Sequence, residues 1–188
     1  MTTFAQSLAR DLRSGSRRAT LIGVVGFAAA VAAASQIAVP LPGTPVPFTL
    51  QPMLVVLAGM WLGPVAGSAS MLLYLAAGAA GLPVFTPLGA PGLARFAGPT
   101  GGYLIAYPAA AFIAGVSMRR ARTLPARWVA AAAGMIVIYL GGIAQLSVLG
   151  GSVARAIGLG VTPFAALDLI KAFIAAAVSG PRVTRFRA

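Results

Sequence analysis

The chain reads as an all-α membrane protein of six transmembrane helices, and three observations predict that class. First, 59% of its 188 residues are hydrophobic, only 9% are charged, and the mean hydropathy is +0.92. A soluble domain of this size needs far more polar surface. Second, long uncharged runs recur along the chain. Third, the basic residues behind the net charge of +12 sit in short clusters between those runs. Arg10, Arg13, Arg17 and Arg18 precede the first run, Arg119, Arg120, Arg122 and Arg127 separate two later ones, and Arg182, Arg185 and Arg187 follow the last. Such clusters are topology signals rather than a nucleic-acid footprint, and the positive-inside rule places all three in the cytoplasm.

The elements follow in order, as one membrane domain over 1–188 whose residues 1–19 form a basic cytoplasmic segment. Residues 20–39 make the first span. Arg17-Arg18 followed by an apolar stretch and Ala32-Ala33-Ala34 also looks like a twin-arginine export signal, but such signals serve exported soluble domains, and five more apolar spans follow here. Residues 51–82 would extend about 48 Å as one helix, well beyond the ~30 Å hydrocarbon core, so they are expected to be two. Gly63-Pro64 is the natural break, since proline removes a ladder donor and glycine supplies the turn. Residues 101–118, 128–150 and 163–180 complete the six. With the amino terminus inside, parity puts the second basic cluster and the carboxyl terminus inside as well. The loops 40–47 and 83–100 then fall outside, and only the single charges Arg95 and Arg155 occupy outer loops.

The last span carries the most informative residues. Asp168 is one of two acidic residues, and Lys171 is the sole lysine. A charge at bilayer depth costs at least ~2.5 kcal/mol, so ionisable residues there are rare, usually paired and usually functional. Spacing i,i+3 puts both on one helix face. Two readings stand: a self-neutralising structural ion pair, or a polar ligand site. The absence of histidine and cysteine removes the commonest acid–base catalyst and thiolate ligands, which disfavours an enzyme.

Topology assigns depth to the other polar groups. Ser35 and Gln36 close the first helix on its outer side, Gln51 opens the second, Tyr103 and Tyr107 lie near the outer start of the fourth, and Gln145 and Ser147 near the outer end of the fifth. Polar groups in lipid need partners, so with Asp168 and Lys171 they are expected to converge on a shared cavity that opens outward. An interfacial belt explains Tyr103 alone, but not five helices together.

Several stretches then carry a resemblance: Pro45-Val46-Pro47-Phe48-Thr49-Leu50-Gln51, Leu62-Gly63-Pro64, Tyr74, Gly81-Leu82-Pro83-Val84-Phe85, Gly98-Pro99-Thr100-Gly101-Gly102-Tyr103-Leu104, and Asp168-Leu169-Ile170-Lys171. In this order they resemble the BioY family, the biotin-binding S components of energy-coupling factor (ECF) transporters. The resemblance implies the six-helix ECF S-component fold and a biotin site near the outer face capped by loops. It also implies uptake powered by ABC-type ATPases through a transmembrane coupling (T) component. Asp168 and Lys171 match the family's Asp-x-x-Lys, which is associated with ligand binding. One departure is Ala165-Ala166-Leu167, where many members carry proline–glycine; three helix formers predict a helix already under way at Asp168.

Biotin's chemistry fits the inventory. Its ureido ring offers two N–H donors and a carbonyl, its bicycle is apolar, and its valeryl chain ends in a carboxylate. Asp168 is expected to accept from the ureido N–H groups, and Lys171 to pair with the carboxylate or hold Asp168; Gln51, Tyr74 and Gln145 complete the set. Glycines 98, 101 and 102 allow backbone N–H groups near a ligand, or simply a tight turn after Pro99; Thr100 and Tyr103 lie in the same stretch. No cofactor is expected, and no G-x-x-x-x-G-K-[ST] occurs, so nucleotide energy must come from partners. In residues 28–34, alanines four apart permit close helix approach; Ala29 and Ala33 are the expected face for the T component, with internal packing as the alternative. A self-sufficient secondary carrier is the competing function, although it normally shows internal repeats.

Overall fold

A computed structural model describes residues 17–180; Arg10, Arg13, Arg182, Arg185 and Arg187 lie outside them. The described residues form seven α-helices: α1 (Arg17–Gln36), α2 (Gln51–Leu62), α3 (Pro64–Ala79), α4 (Gly101–Met118), α5 (Leu124–Gly150), α6 (Val153–Gly160) and α7 (Ala165–Val178), with a 3-10 helix at Gly92–Ala97. Each segment expected as a span is helical. By length and composition α1, α4 and α5 can each cross a membrane, and α6 with α7, bent by 58° at their break, make a fourth when taken as one; α2 and α3 are shorter apolar helices.

The 51–82 run divides at the expected place. Gly63 adopts φ 84°, a conformation costly for any residue with a Cβ, its N–H bonds to the Gly59 carbonyl at 3.0 Å, and Pro64 opens α3. The two helices fold back on each other, because Gln51 at the start of α2 reaches Tyr74 near the end of α3. Small residues set how closely they approach. A Cβ on Gly67 would lie 2.6 Å from the Gly59 Cα, and one on Gly59 would lie 1.9 Å from the Ala111 carbonyl oxygen of α4. Without a hydrophobic drive between helices in lipid, such close packing does much of the work of association. Val55, Val56, Met71, Ala110, Ala111, Ala131 and Ala172 fill the core between them.

α6 is the element that the sequence reading left as loop. Gly151, at φ 68°, ends α5, and the Ser152 hydroxyl caps the new helix by accepting from the Arg155 N–H. Only eight residues long, α6 carries no span-length signal.

The bundle has two unlike ends. Ser35 and Gln36, at the close of α1, donate to the carbonyls of Val84 and Phe85, in the connection that leads to the start of α4. The opposite end therefore holds the start of α1 with exposed Arg17 and Arg18, and the α4–α5 turn with exposed Arg119, Arg120 and Arg122. There Ser179 accepts from Trp61 Nε1 at 3.0 Å and from Arg127 Nη1 at 2.7 Å.

Candidate functional site

The α7 helix starts at Ala165, so Asp168 falls in its first turn, where a carboxylate is favoured by the helix dipole. Asp168 and Lys171 are 6% and 5% exposed and pair at 2.7 Å through Oδ1. The pair is not self-contained. Tyr139 of α5 donates its hydroxyl to Asp168 Oδ2 at 2.5 Å, and Lys171 Nζ donates to the Thr49 carbonyl at 2.7 Å. Nζ also stands 3.9 Å from the centre of the Phe48 ring. These contacts tie α7 to the 39–50 loop, in which Val39 and Phe48 are joined by paired N–H···O bonds. Buried charges tolerate desolvation only when their remaining hydrogen-bonding capacity is satisfied, and here backbone, phenol and ring all contribute.

Beside this network lies a cavity with about 620 Å³ of space free of protein atoms, its mouth included. That is within the usual range for small-molecule sites. Asp168 and Lys171 line it together with Gln51, Tyr74, Thr100 and Tyr103, and so do all four tyrosines of the chain. Gln51 donates to the Tyr74 hydroxyl at 2.7 Å, and Tyr103 donates to the Gly160 carbonyl at 2.9 Å, anchoring the end of α6. Tyr74 packs edge-on against Phe85 and stacks with Tyr107.

Three residues singled out from the sequence, Gln145, Gly98 and Gly101, do not line this cavity. Gln145 Nε2 instead holds the carbonyls of Phe96 and Gly98, fixing the chain just ahead of α4. A Cβ on Gly101 would fall 2.0 Å from the Phe96 carbonyl oxygen, so this glycine is required by chain packing. Gly102 is likewise closed off, by the Gly141 carbonyl at 2.1 Å from its would-be Cβ. Ser35 and Gln36 act at one remove, holding the Phe85 segment that forms part of the wall. Ala29 and Ala33 both lie on the exposed face of α1, while Ala28, Val31 and Ser35 turn inward.

The sequence reading missed Arg95. A lone charge in an outer loop looked incidental, yet the residue is 4% exposed and lines the cavity. Its Nη1 donates to Thr86 Oγ1 at 3.1 Å and to the Leu88 carbonyl, and its Nη2 donates to the Thr86 carbonyl. Its Nε has no partner among the described residues. Gly89, at φ 112°, is shaped around it: a Cβ there would meet Arg95 Nη1 at 2.7 Å. Burial pushes the guanidinium below its ordinary pKa, but an arginine starts so high that it stays charged. No carboxylate faces it among the described residues, so the cavity holds one cation without a counter-charge. Tyr139 was missed as well, since a tyrosine in mid-helix carries no local signal of what lies opposite.

Residues 6–188 match the BioY family. A Pyrococcus horikoshii protein named as a probable biotin transporter BioY is 41% identical over 153 residues, 81% of this chain and 89% of its own length. A Thermotoga maritima protein named as biotin transporter BioY is 35% identical over the same shares. Among solved structures, the crystal structure of the S-component for biotin from an ECF-type ABC transporter superposes with a TM-score of 0.79 at 27% identity, covering 92% of this chain and 93% of that one. These relatives are transporters, not enzymes, and with the apolar helices they make this a multi-pass membrane protein.

Proposed function

Because the chain belongs to the BioY family, we propose that it is the biotin-binding S component of an ECF transporter. In this reading α1 to α5 and α7 are the six spans, both termini are cytoplasmic, and the cavity opens outward. Biotin bound there is taken up at the expense of ATP hydrolysed by partner ABC-type ATPases, through a T component docked on the Ala29 and Ala33 face.

One observation carries the reading: a largely apolar cavity holds a buried carboxylate, that of Asp168, and a buried guanidinium without counter-charge, that of Arg95. Biotin needs that combination. Its ureido N–H groups require an acceptor, which Asp168 supplies through the lone pairs left after Lys171 and Tyr139 have donated. Its carboxylate requires a desolvated cation, and the Arg95 guanidinium on the cavity wall supplies that charge. Lys171 already serves Asp168, the Thr49 carbonyl and the Phe48 ring, so its part is to hold Asp168 and the loop rather than to pair with the ligand carboxylate.

Calorimetry of detergent-purified protein tests this. Biotin should bind stoichiometrically without partners, and in liposomes the protein alone should not accumulate it. Arg95→Gln should weaken biotin binding by ~1.5 to 3 kcal/mol, the range for hydrogen bonds to charged groups, and should leave the affinity for biotin methyl ester nearly unchanged. Absence of biotin binding by the parent protein would sink the reading.

A further inference from the structure

The cavity's four phenols differ in one respect. Tyr74 accepts from Gln51, Tyr103 donates to Gly160 and Tyr139 donates to Asp168. Tyr107, on α4 one turn beyond Tyr103, is 3% exposed and lines the cavity, and its hydroxyl has no hydrogen-bond partner among the described residues. Its ring is held by stacking on Tyr74, with centroids 6.4 Å apart, and its hydroxyl is on the cavity side rather than against a protein acceptor. Water in the cavity can satisfy that hydroxyl, and a ligand that displaces the water must supply the hydrogen bond in its place. The Thr100 hydroxyl on the same wall is only half-buried, so solvent can satisfy it.

We infer that Tyr107 is a ligand-contact residue whose hydroxyl donates to the ligand's ureido carbonyl. The inference rests on the biotin reading and deepens it. Biotin presents two acceptor ends and one pair of donors. Asp168 takes the donors and Arg95 the carboxylate. The ureido carbonyl then needs a neutral donor, and of the four phenols only Tyr107 is engaged by no protein group, since Tyr74 is held by Gln51, Tyr103 by Gly160 and Tyr139 by Asp168. The phenol is also neutral, which suits a carbonyl and gives no advantage to a free anion. A site that hydrogen-bonds one substrate atom discriminates against analogues that lack it, so Tyr107 makes the site selective for the urea over ring analogues with a weak acceptor in place of the oxygen.

Tyr107→Phe tests this with calorimetry on two ligands and a melting curve without ligand. Biotin affinity should fall about tenfold, the order expected for a lost neutral hydrogen bond at a buried acceptor. Affinity for 2-thiobiotin, whose thiocarbonyl sulfur is a weak acceptor, should change by less than about twofold, and the ligand-free melting temperature should hold or rise. Unchanged biotin affinity, an equal loss for both ligands, or a lowered ligand-free melting temperature would each overturn the inference while leaving the biotin reading intact. A parent protein that binds neither ligand would overturn both.

Discussion

At the cavity end of the bundle, side chains from α2, α3, α5 and α7 and the 39–50 loop are bonded in one chain, Tyr139–Asp168–Lys171–Thr49–Gln51–Tyr74. At the other end the helices meet through glycine and alanine: Gly59 against Ala111, Gly67 against Gly59, and Gly115 against Pro64. The first end is held by groups that each need a partner. The second is held chiefly by contact distance, with Ser179 tying Trp61 and Arg127 at its edge. The difference teaches how a small membrane protein combines rigidity with selectivity: the apolar end supplies a fixed frame with nothing left to bind, and the polar end retains Arg95 Nε and the Tyr107 hydroxyl without protein partners.

The largest expected effect falls at the frame. Gly59→Val places new atoms against backbone rather than against the flexible end of a side chain, so the helices must separate and the cost should exceed the ~1 to 3 kcal/mol usual for overpacking. The variant should fail to yield monodisperse protein in detergent; a normal melting curve would show that close approach is dispensable.

Next come Asp168 and Lys171. Asp168→Asn or Lys171→Met alone strands a buried charge, which typically costs ~3 to 5 kcal/mol. Each should lower the melting temperature, while the double variant should recover it, because the two changes are coupled. Biotin affinity separates the readings: it should stay low in the double variant if Asp168 contacts the ligand. Full recovery would reduce the pair to a structural device and shift the ligand site to other residues.

The smallest effect on stability is expected on the outer face of α1. Ala29→Trp and Ala33→Trp add bulk where the bundle has no neighbour, so melting temperature and biotin binding should be within about 0.5 kcal/mol of the parent, as for surface changes generally. Energised uptake with the partner subunits should nonetheless be lost, since only close helix approach is blocked. Loss of binding together with uptake would instead give these alanines a packing role.

Much of the architecture was legible in the residues. Long apolar runs, the Gly63-Pro64 break and the helical start before Asp168 are local signals, set by hydropathy, backbone freedom and helix propensity over a few residues. The pairing of Asp168 with Lys171 was legible for the same reason, because i,i+3 spacing makes them neighbours on any helix. The fate of Gln145 and Gly101 was not, since each is decided by carbonyls of the Phe96 segment, some fifty and five positions away, that the loop happens to present.

Sequence alone thus determined that this chain is helical, belongs in a membrane and concentrates its rare polar groups toward one level. Tertiary structure decided which of those groups are consumed by the protein and which are left for a ligand. Arg95 shows why. Its burial depends on Thr86, Leu88 and Gly89 folding around it, and its lack of a counter-charge depends on Asp168, the one acidic side chain among the described residues, being paired with Lys171. Hydrogen-bond satisfaction is a property of the closed three-dimensional set of donors and acceptors, so no pattern along the chain can reveal which member of that set remains free.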